Sequence, residues 1–130
     1  MPKISRFEDL EIWKNARELC KLVYKITSTE LFNKDFRFRD QIRASTGSSM
    51  DNIAEGFERE GNKEFLQFLS IAKGSCGETR SQLYRAFDFS YITKDTLDDL
   101  VEKTSNLSKQ ISNFMAYLKK VATKAPNINE

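Results

Sequence analysis

The alternation of apolar and polar residues along the chain predicts four long helices joined by short connectors. Apolar residues recur at alternating spacings of three and four, which places them on one helical face. The fourth predicted helix shows this most regularly, in a heptad-like seam that runs from Leu97 to Val121. The only two prolines stand at positions 2 and 126, so none interrupts the chain between them. The predicted helices cover about residues 7–28, 36–57, 62–89 and 94–122, and residues 123–130 are expected to be a frayed tail.

Long helices with short connectors favour an all-α fold, an antiparallel up-down-up-down four-helix bundle that forms a single domain over residues 1–130. Polar residues at the predicted helix starts suit N-caps: Ser5 with Glu8 as a capping box, Asn62, and Thr93. In the connector over residues 28–35 we expect Leu31 and Phe32 to pack against the bundle.

The second predicted helix has unusually small and polar residues on its inward face. The inward positions between Ile42 and Ile53 carry three serines and one asparagine: Ser45, Ser48, Ser49 and Asn52. Buried hydroxyl and amide groups need hydrogen-bond partners, so more than apolar packing specifies this helix. In the third helix, Gly74 and Gly77 each cost about 1 kcal/mol relative to alanine. We expect close helix contact to compensate for that cost.

Composition narrows the range of functions. Hydrophobic residues make up 39% of the chain and charged residues 31%, which is typical of a soluble globular protein. The chain has no histidine, which excludes Ser-His-Asp and Cys-His nucleophile systems and His-ligated zinc. The net charge of +2 is far from the basic bias of a dedicated nucleic-acid binder.

Compartment and membrane association follow from the same sequence. Cys20 and Cys76, the only cysteines, lie in predicted helices and are read as small buried side chains in a reducing compartment. No apolar run approaches the roughly 20 residues that span a bilayer. The N-terminus has no apolar segment of the kind found in secretory signals. We therefore expect a cytoplasmic protein with no membrane partner.

Two carboxylates and two small polar residues form the first candidate constellation: Asn52, Glu55, Ser75 and Glu78. The first two share a face of the second helix and the last two share a face of the third. One interpretation is a carboxylate site for a metal or a substrate. We favour a structural polar network, because no nucleophile, histidine or phosphate-binding loop accompanies these residues. No catalytic residue, metal ligand or cofactor is therefore predicted.

Basic residues at the start of the second helix form the second constellation, a candidate nucleic-acid contact: Lys34, Arg37, Arg39 and Arg43. Phe36 and Phe38 stand between them, and cations with aromatic rings can hold single-stranded nucleic acid by phosphate contacts and stacking. Asp35 and Asp40 dilute the charge. The alternative interpretation is a solvated helix face with ion pairs inside the helix.

Several segments together resemble a known family. They are FEDLEIWKNARELCKLVY near the N-terminus, Gln41-Ile42-Arg43, the Asn52–Gly56 segment NIAEG, and EFLQFLSIAKGSCGE over residues 64–78. The chain resembles the four-helix bundle proteins first recognised as reading frames in the intervening sequences of bacterial 23S ribosomal RNA genes. A group related to that family, the accessory proteins of diversity-generating retroelements, shares the bundle and the pentameric form but is strongly basic, which this chain is not. The resemblance implies a ring-shaped homopentamer and no established enzymatic activity. The family usually has a further basic residue at the position of Ala44.

Our overall prediction is a non-enzymatic protein that associates with itself, as the pentamer that the resemblance implies. The apolar stripes of the first and third helices are too wide for one small bundle to bury, which favours self-association. The predicted role is an interaction scaffold for RNA or a ribonucleoprotein, bound weakly. The alternative is a protein-binding adaptor without nucleic-acid contact, and a more distant one is a carboxylate-based enzyme or metal site. No small-molecule substrate is expected.

Overall fold

Five α-helices and one 3-10 turn account for the regular structure of residues 4–124, which the computed structural model describes, with side chains as far as residue 121. No strand occurs within these residues, in agreement with the all-α prediction. The elements are a 3-10 turn over Phe7–Asp9 and the helices α1 (Glu11–Thr27), α2 (Glu30–Lys34), α3 (Phe36–Glu58), α4 (Asn62–Asp88) and α5 (Lys94–Lys124). Of the tail predicted over residues 123–130, the first two residues belong to α5 and the others lie outside the described residues.

The four long helices form an antiparallel bundle in which each packs on its neighbour along the chain. The most extensive contact is between α3 and α4, followed by those between α4 and α5 and between α1 and α3. A smaller contact between α1 and α5 completes the four-helix bundle. The predicted seam of α5 faces the core, where its buried residues are Leu97, Leu100, Thr104, Leu107, Ile111 and Leu118. The predicted up-down-up-down bundle is therefore confirmed.

The first helix begins later than predicted. After the 3-10 turn, Leu10 has extended backbone (φ −72°, ψ 129°), and α1 starts only at Glu11. This geometry leaves the Leu10 side chain in the core, where burial of a leucine contributes about 1.5–3 kcal/mol, more than one further helical residue would. The capping box predicted from Ser5 and Glu8 is wrong, because Arg6 precedes the 3-10 turn and no side chain caps it.

The other helix starts agree in part with the predictions. Thr93 caps α5 by accepting a hydrogen bond from the Thr96 amide at 3.2 Å. The prediction for Asn62 is wrong, because Asn62 is the first residue of α4 and Gly61, with φ of 88°, precedes it. Helix α3 has a cap that the sequence analysis did not identify: Asp35 Oδ1 accepts from the Phe38 amide at 3.3 Å.

The connector between the first two predicted helices forms the short helix α2. Phe32 is fully buried, as expected, whereas Leu31 remains 59% exposed. A five-residue helix can direct only part of its surface toward the bundle, and here that part carries Phe32.

Helix α4 ends in a left-handed residue that is not glycine. Ser90 has φ of 64°. Its amide donates to Phe87 O and the Tyr91 amide donates to Ala86 O, both at 2.9 Å. These two bonds define a Schellman motif, which satisfies carbonyls at the helix end.

The close contact between α3 and α4 occurs at a different glycine from the ones predicted. A Cβ atom at Gly74 or Gly77 would meet nothing within 4 Å, so the expected compensation by close contact is wrong for both within the described residues. A Cβ atom at Gly56 would lie 2.7 Å from Phe68 Cβ and 2.9 Å from Phe65 Cδ1. Gly56 is therefore the glycine that lets α4 approach α3.

Candidate nucleic-acid interface

An aromatic cluster fixes the start of α3 at one end of the bundle, where α1 and α4 also end. The ring of Phe32 lies 5.2 Å from that of Phe38 and 4.9 Å from that of Tyr91. The Tyr91 hydroxyl donates to Asp35 Oδ2 at 2.8 Å, and this bond raises the pKa of Tyr91. Since the other oxygen of the same carboxylate caps α3, the cluster holds the first turn of α3 in a defined position.

Arg43 is held against α1 by neutral groups. Its Nε donates to Thr27 Oγ1 at 2.8 Å and an Nη donates to Ser28 Oγ at 3.3 Å. The guanidinium carbon lies 4.3 Å from the centre of the Tyr24 ring. No carboxylate within the described residues pairs with Arg43, so its position is fixed while its charge is not neutralised.

Arg39, one turn earlier, has a more balanced environment. It donates to the carbonyl and side-chain oxygens of Asn33 at 3.2 and 2.9 Å, and it pairs with Asp40 at 3.0 Å. Its guanidinium carbon lies 5.0 Å from the Phe36 ring centre. Arg39 and Arg43 are four residues apart, so they lie on the same face of α3.

The other two predicted nucleic-acid contacts, Lys34 and Arg37, differ in how available their charges are to an external anion. Lys34 Nζ lies 3.7 Å from Glu30 Oε1 in an exposed ion pair, so its charge is less available to an external anion. Arg37 is exposed and makes no ion pair or side-chain hydrogen bond within residues 4–124. It is two residues from Arg39 and therefore lies on a different face of α3.

One basic residue of this end was missed by the sequence analysis. Arg85 on α4 places its guanidinium carbon 4.5 Å from the Phe38 ring centre. It lies near the C-terminal end of α4, and the antiparallel packing of α4 on α3 is the signal that could have identified it. We call the following residues at this end of the bundle, which lie on more than one face of α3 and include one residue of α4, the basic-aromatic patch: Tyr24, Phe36, Arg37, Arg39, Arg43 and Arg85.

The predicted polar constellation is only partly brought together. Asn52 Nδ2 and Ser75 Oγ both hydrogen-bond to Ser48 Oγ, at 3.0 and 2.8 Å. Glu55 instead pairs with Arg59, the residue that follows α3, at 2.8 Å. Glu78 is exposed on the wall of a polar cavity of about 390 Å³ between α3 and α4. The two carboxylates therefore do not converge on one site.

A buried polar cluster that the sequence analysis missed joins α3 to α4. Ser45 Oγ lies 2.6 Å from Gln82 Oε1 and 2.8 Å from Thr79 Oγ1, and all three residues are buried. Ser45 stood out in the sequence as a small inward residue, but nothing identified Gln82 as its partner. The partners satisfy one another, so the cluster is a structural contact between α3 and α4.

Neither a metal cluster nor a reactive thiol is found in the described part of the chain. Within it, no group of three or more His, Cys, Asp or Glu side chains could hold a metal ion. Cys20 and Cys76 are free thiols, and burial raises the pKa of each to about 11. Both thiols are therefore protonated at neutral pH. No helix among the described residues is long and apolar enough to cross a membrane.

An apolar groove of about 1060 Å³ lies at the opposite end of the bundle. It opens between the start of α1, the connector from α3 to α4, and the second half of α5. Apolar side chains form much of its wall: Leu10, Ile12, Phe57, Phe65, Phe114 and Leu118. Arg59, Glu60 and Asn113 stand among them and supply polar groups. The basic-aromatic patch and this groove are thus separate surfaces.

Comparison with known proteins gives a family and a fold. Residues 8–113 match the family model of the 23S rRNA-intervening sequence protein. A crystal structure of a protein of unknown function from the S23 ribosomal protein family of Bacteroides thetaiotaomicron VPI-5482 is similar, with a TM-score of 0.73 and 22% sequence identity. The similarity covers 80% of this chain and 97% of that one. No curated protein matches the sequence.

Proposed function

Because this chain belongs to the 23S rRNA-intervening sequence protein family, we propose that it is a non-enzymatic, homo-oligomeric scaffold that binds RNA. The proposed RNA-binding surface is the basic-aromatic patch. The observation that carries the proposal is the fixed charge of Arg43, which no carboxylate within the described residues neutralises. Arg37 and Arg85, at the same end of the bundle, also make no ion pair within those residues. Cations that lack a carboxylate partner are available to phosphate groups.

Self-association strengthens the proposal, because a ring presents several copies of a weak patch at once. We propose a pentamer, which the family resemblance implies. Large apolar side chains that remain exposed on single protomers support an assembly: Leu31, Ile71, Phe89 and Tyr117. Light scattering on a sizing column tests this point, and a monomer at micromolar concentration would contradict it.

The RNA-binding proposal is tested by removing charge at the patch. We expect weak binding with little sequence preference that is largely lost by about 200 mM salt. Replacing Arg37, Arg39 and Arg43 together with glutamine should abolish retention of RNA and leave the oligomer intact. The matched control removes three charges elsewhere, from exposed lysines that make no ion pair within the described residues: Lys14, Lys73 and Lys109.

Two results would count against the proposal. Wild-type protein that retains no RNA even at low salt would refute RNA binding. Equal losses in the patch variant and in the control would mean that only net charge matters, and that the patch has no special role.

A protein-binding adaptor is the second candidate function, and the apolar groove favours it. The groove would accept an apolar segment of a partner protein, with Arg59 and Asn113 positioned for polar contacts. Its test is Phe114→Ser, which should weaken capture of a partner without changing RNA retention. The proposed setting for either function is the cytoplasm, with no membrane, cofactor or small-molecule substrate.

A further inference from the structure

Two exposed aromatic rings, each paired with an arginine, lie along one edge of the basic-aromatic patch. Tyr24 is 61% exposed and Phe36 is 63% exposed. Arg43 lies over the first ring and Arg39 over the second, with guanidinium carbons 4.3 and 5.0 Å from the ring centres. Rings that stay this exposed beside fixed cations leave apolar faces open to a planar, negatively charged partner.

The two ring–guanidinium pairs are adjacent and hold their positions. Arg39 and Arg43 are separated by one helical turn, a rise of about 6 Å along α3. Hydrogen bonds to Thr27 and Ser28 hold Arg43, and bonds to Asn33 hold Arg39. Side chains fixed before binding lose less conformational entropy when a ligand binds.

We propose that these two pairs bind unpaired nucleotides by stacking, so that the protein prefers single-stranded to double-stranded nucleic acid. The inference rests on the RNA-binding function proposed above. In a duplex, each base face is covered by its neighbours, so the backbone and the base edges are available but no face is free for stacking. In a single strand, a base lies on a ring or a guanidinium plane while its phosphate meets the cation.

Charge complementarity selects this occupant over a neutral apolar one. Arg43 has no carboxylate partner, and Lys25, next to Tyr24 on α1, makes no ion pair within residues 4–124. Within the described residues, Asp40 pairs with Arg39 and with no other cation of the patch. An apolar protein segment would bury the Arg43 charge without compensation, which is costly. A phosphate backbone compensates that charge.

The test compares a labelled, unstructured RNA of about 12 nucleotides with a duplex of the same sequence, by fluorescence anisotropy at about 50 mM salt. We expect tighter binding of the single strand. Tyr24→Leu and Phe36→Leu keep apolar bulk but remove the aromatic face, and each should weaken single-strand binding about five-fold or more. Duplex binding should stay unchanged in both variants.

Tyr84→Leu is the matched control, because Tyr84 is also an exposed aromatic residue (51%) but has no guanidinium over its ring within the described residues. It should bind both RNAs like the wild type. Each variant is also run on a sizing column, since a second copy of the chain could cover the same rings.

The outcomes separate this inference from the function on which it rests. Equal affinity for single strand and duplex, or equal effects of Tyr24→Leu and Tyr84→Leu, would overturn the stacking proposal and leave RNA binding in place. A smaller oligomer in Tyr24→Leu or Phe36→Leu would overturn it too, by placing the rings in a subunit interface. No binding of either RNA would overturn both proposals.

Discussion

Gly56 provides the sharpest test of how α3 and α4 pack. We expect Gly56→Ala to destabilise the protein, although alanine is the better helix former. The added Cβ would lie 2.7 Å from Phe68 Cβ and 2.9 Å from Phe65 Cδ1. The Phe65 ring can rotate slightly, but Phe68 Cβ is attached directly to the backbone. To accommodate the new methyl group, α4 must therefore shift away from α3.

Two opposing contributions set the size of the effect. Replacing glycine by alanine in a helix gains about 0.5–1 kcal/mol. Overpacking a close contact costs about 1–3 kcal/mol. The expected net change in the free energy of unfolding is a loss on the order of 1–2 kcal/mol. For a chain of this length that corresponds to a melting temperature lower by roughly 3–8 °C.

Gly74→Ala is the matched control, because a Cβ atom there meets nothing within 4 Å and the residue is exposed. It should raise stability by about 0.5–1 kcal/mol. Urea denaturation followed by circular dichroism measures both variants, at one protein concentration because oligomer stability depends on concentration. If Gly56→Ala proves as stable as the wild type, the close contact does not limit the approach of the helices.

Three further predictions concern buried or strained groups. Ser45→Ala should cost about 1–3 kcal/mol in urea denaturation, because the buried Gln82 oxygen loses the partner 2.6 Å away; an unchanged midpoint would contradict this. Ser90→Gly should raise the melting temperature by relieving a φ of 64°, worth about 1 kcal/mol, and a lower melting temperature would refute the strain argument. Burial raises the pKa of Cys20 and Cys76 from 9.0 to about 11. Because this favours the neutral thiol in the folded state, the free energy of unfolding should be highest below pH 9 and fall as the pH rises from 9 toward 11. Alkylation of the thiols at pH 8 should be about 100-fold slower in the folded protein than in urea, and equal rates would show that the thiols are exposed.

Features that depend on local periodicity could be predicted from the sequence. The three- and four-residue spacing of apolar residues located all four long helices and the buried seam of α5, because a helix places such residues on one face wherever it packs. The cap at Thr93 followed in the same way, since donor and acceptor are three residues apart. Arg39 and Arg43 could likewise be assigned to one face of α3 from their spacing alone.

Contacts between residues of different helices, in contrast, became known from the packing of the bundle. The sequence analysis expected close helix contact at Gly74 and Gly77, but the glycine at which α4 closely approaches α3 is Gly56. Arg85 joined the basic-aromatic patch because the end of α4 lies beside the start of α3, about 50 residues away along the chain. Glu55 pairs with Arg59 just after the end of α3, so it does not belong to the predicted polar constellation. Contacts of this kind depend on how far each helix is shifted and rotated against its neighbour, and the pattern within a single helix does not contain that information.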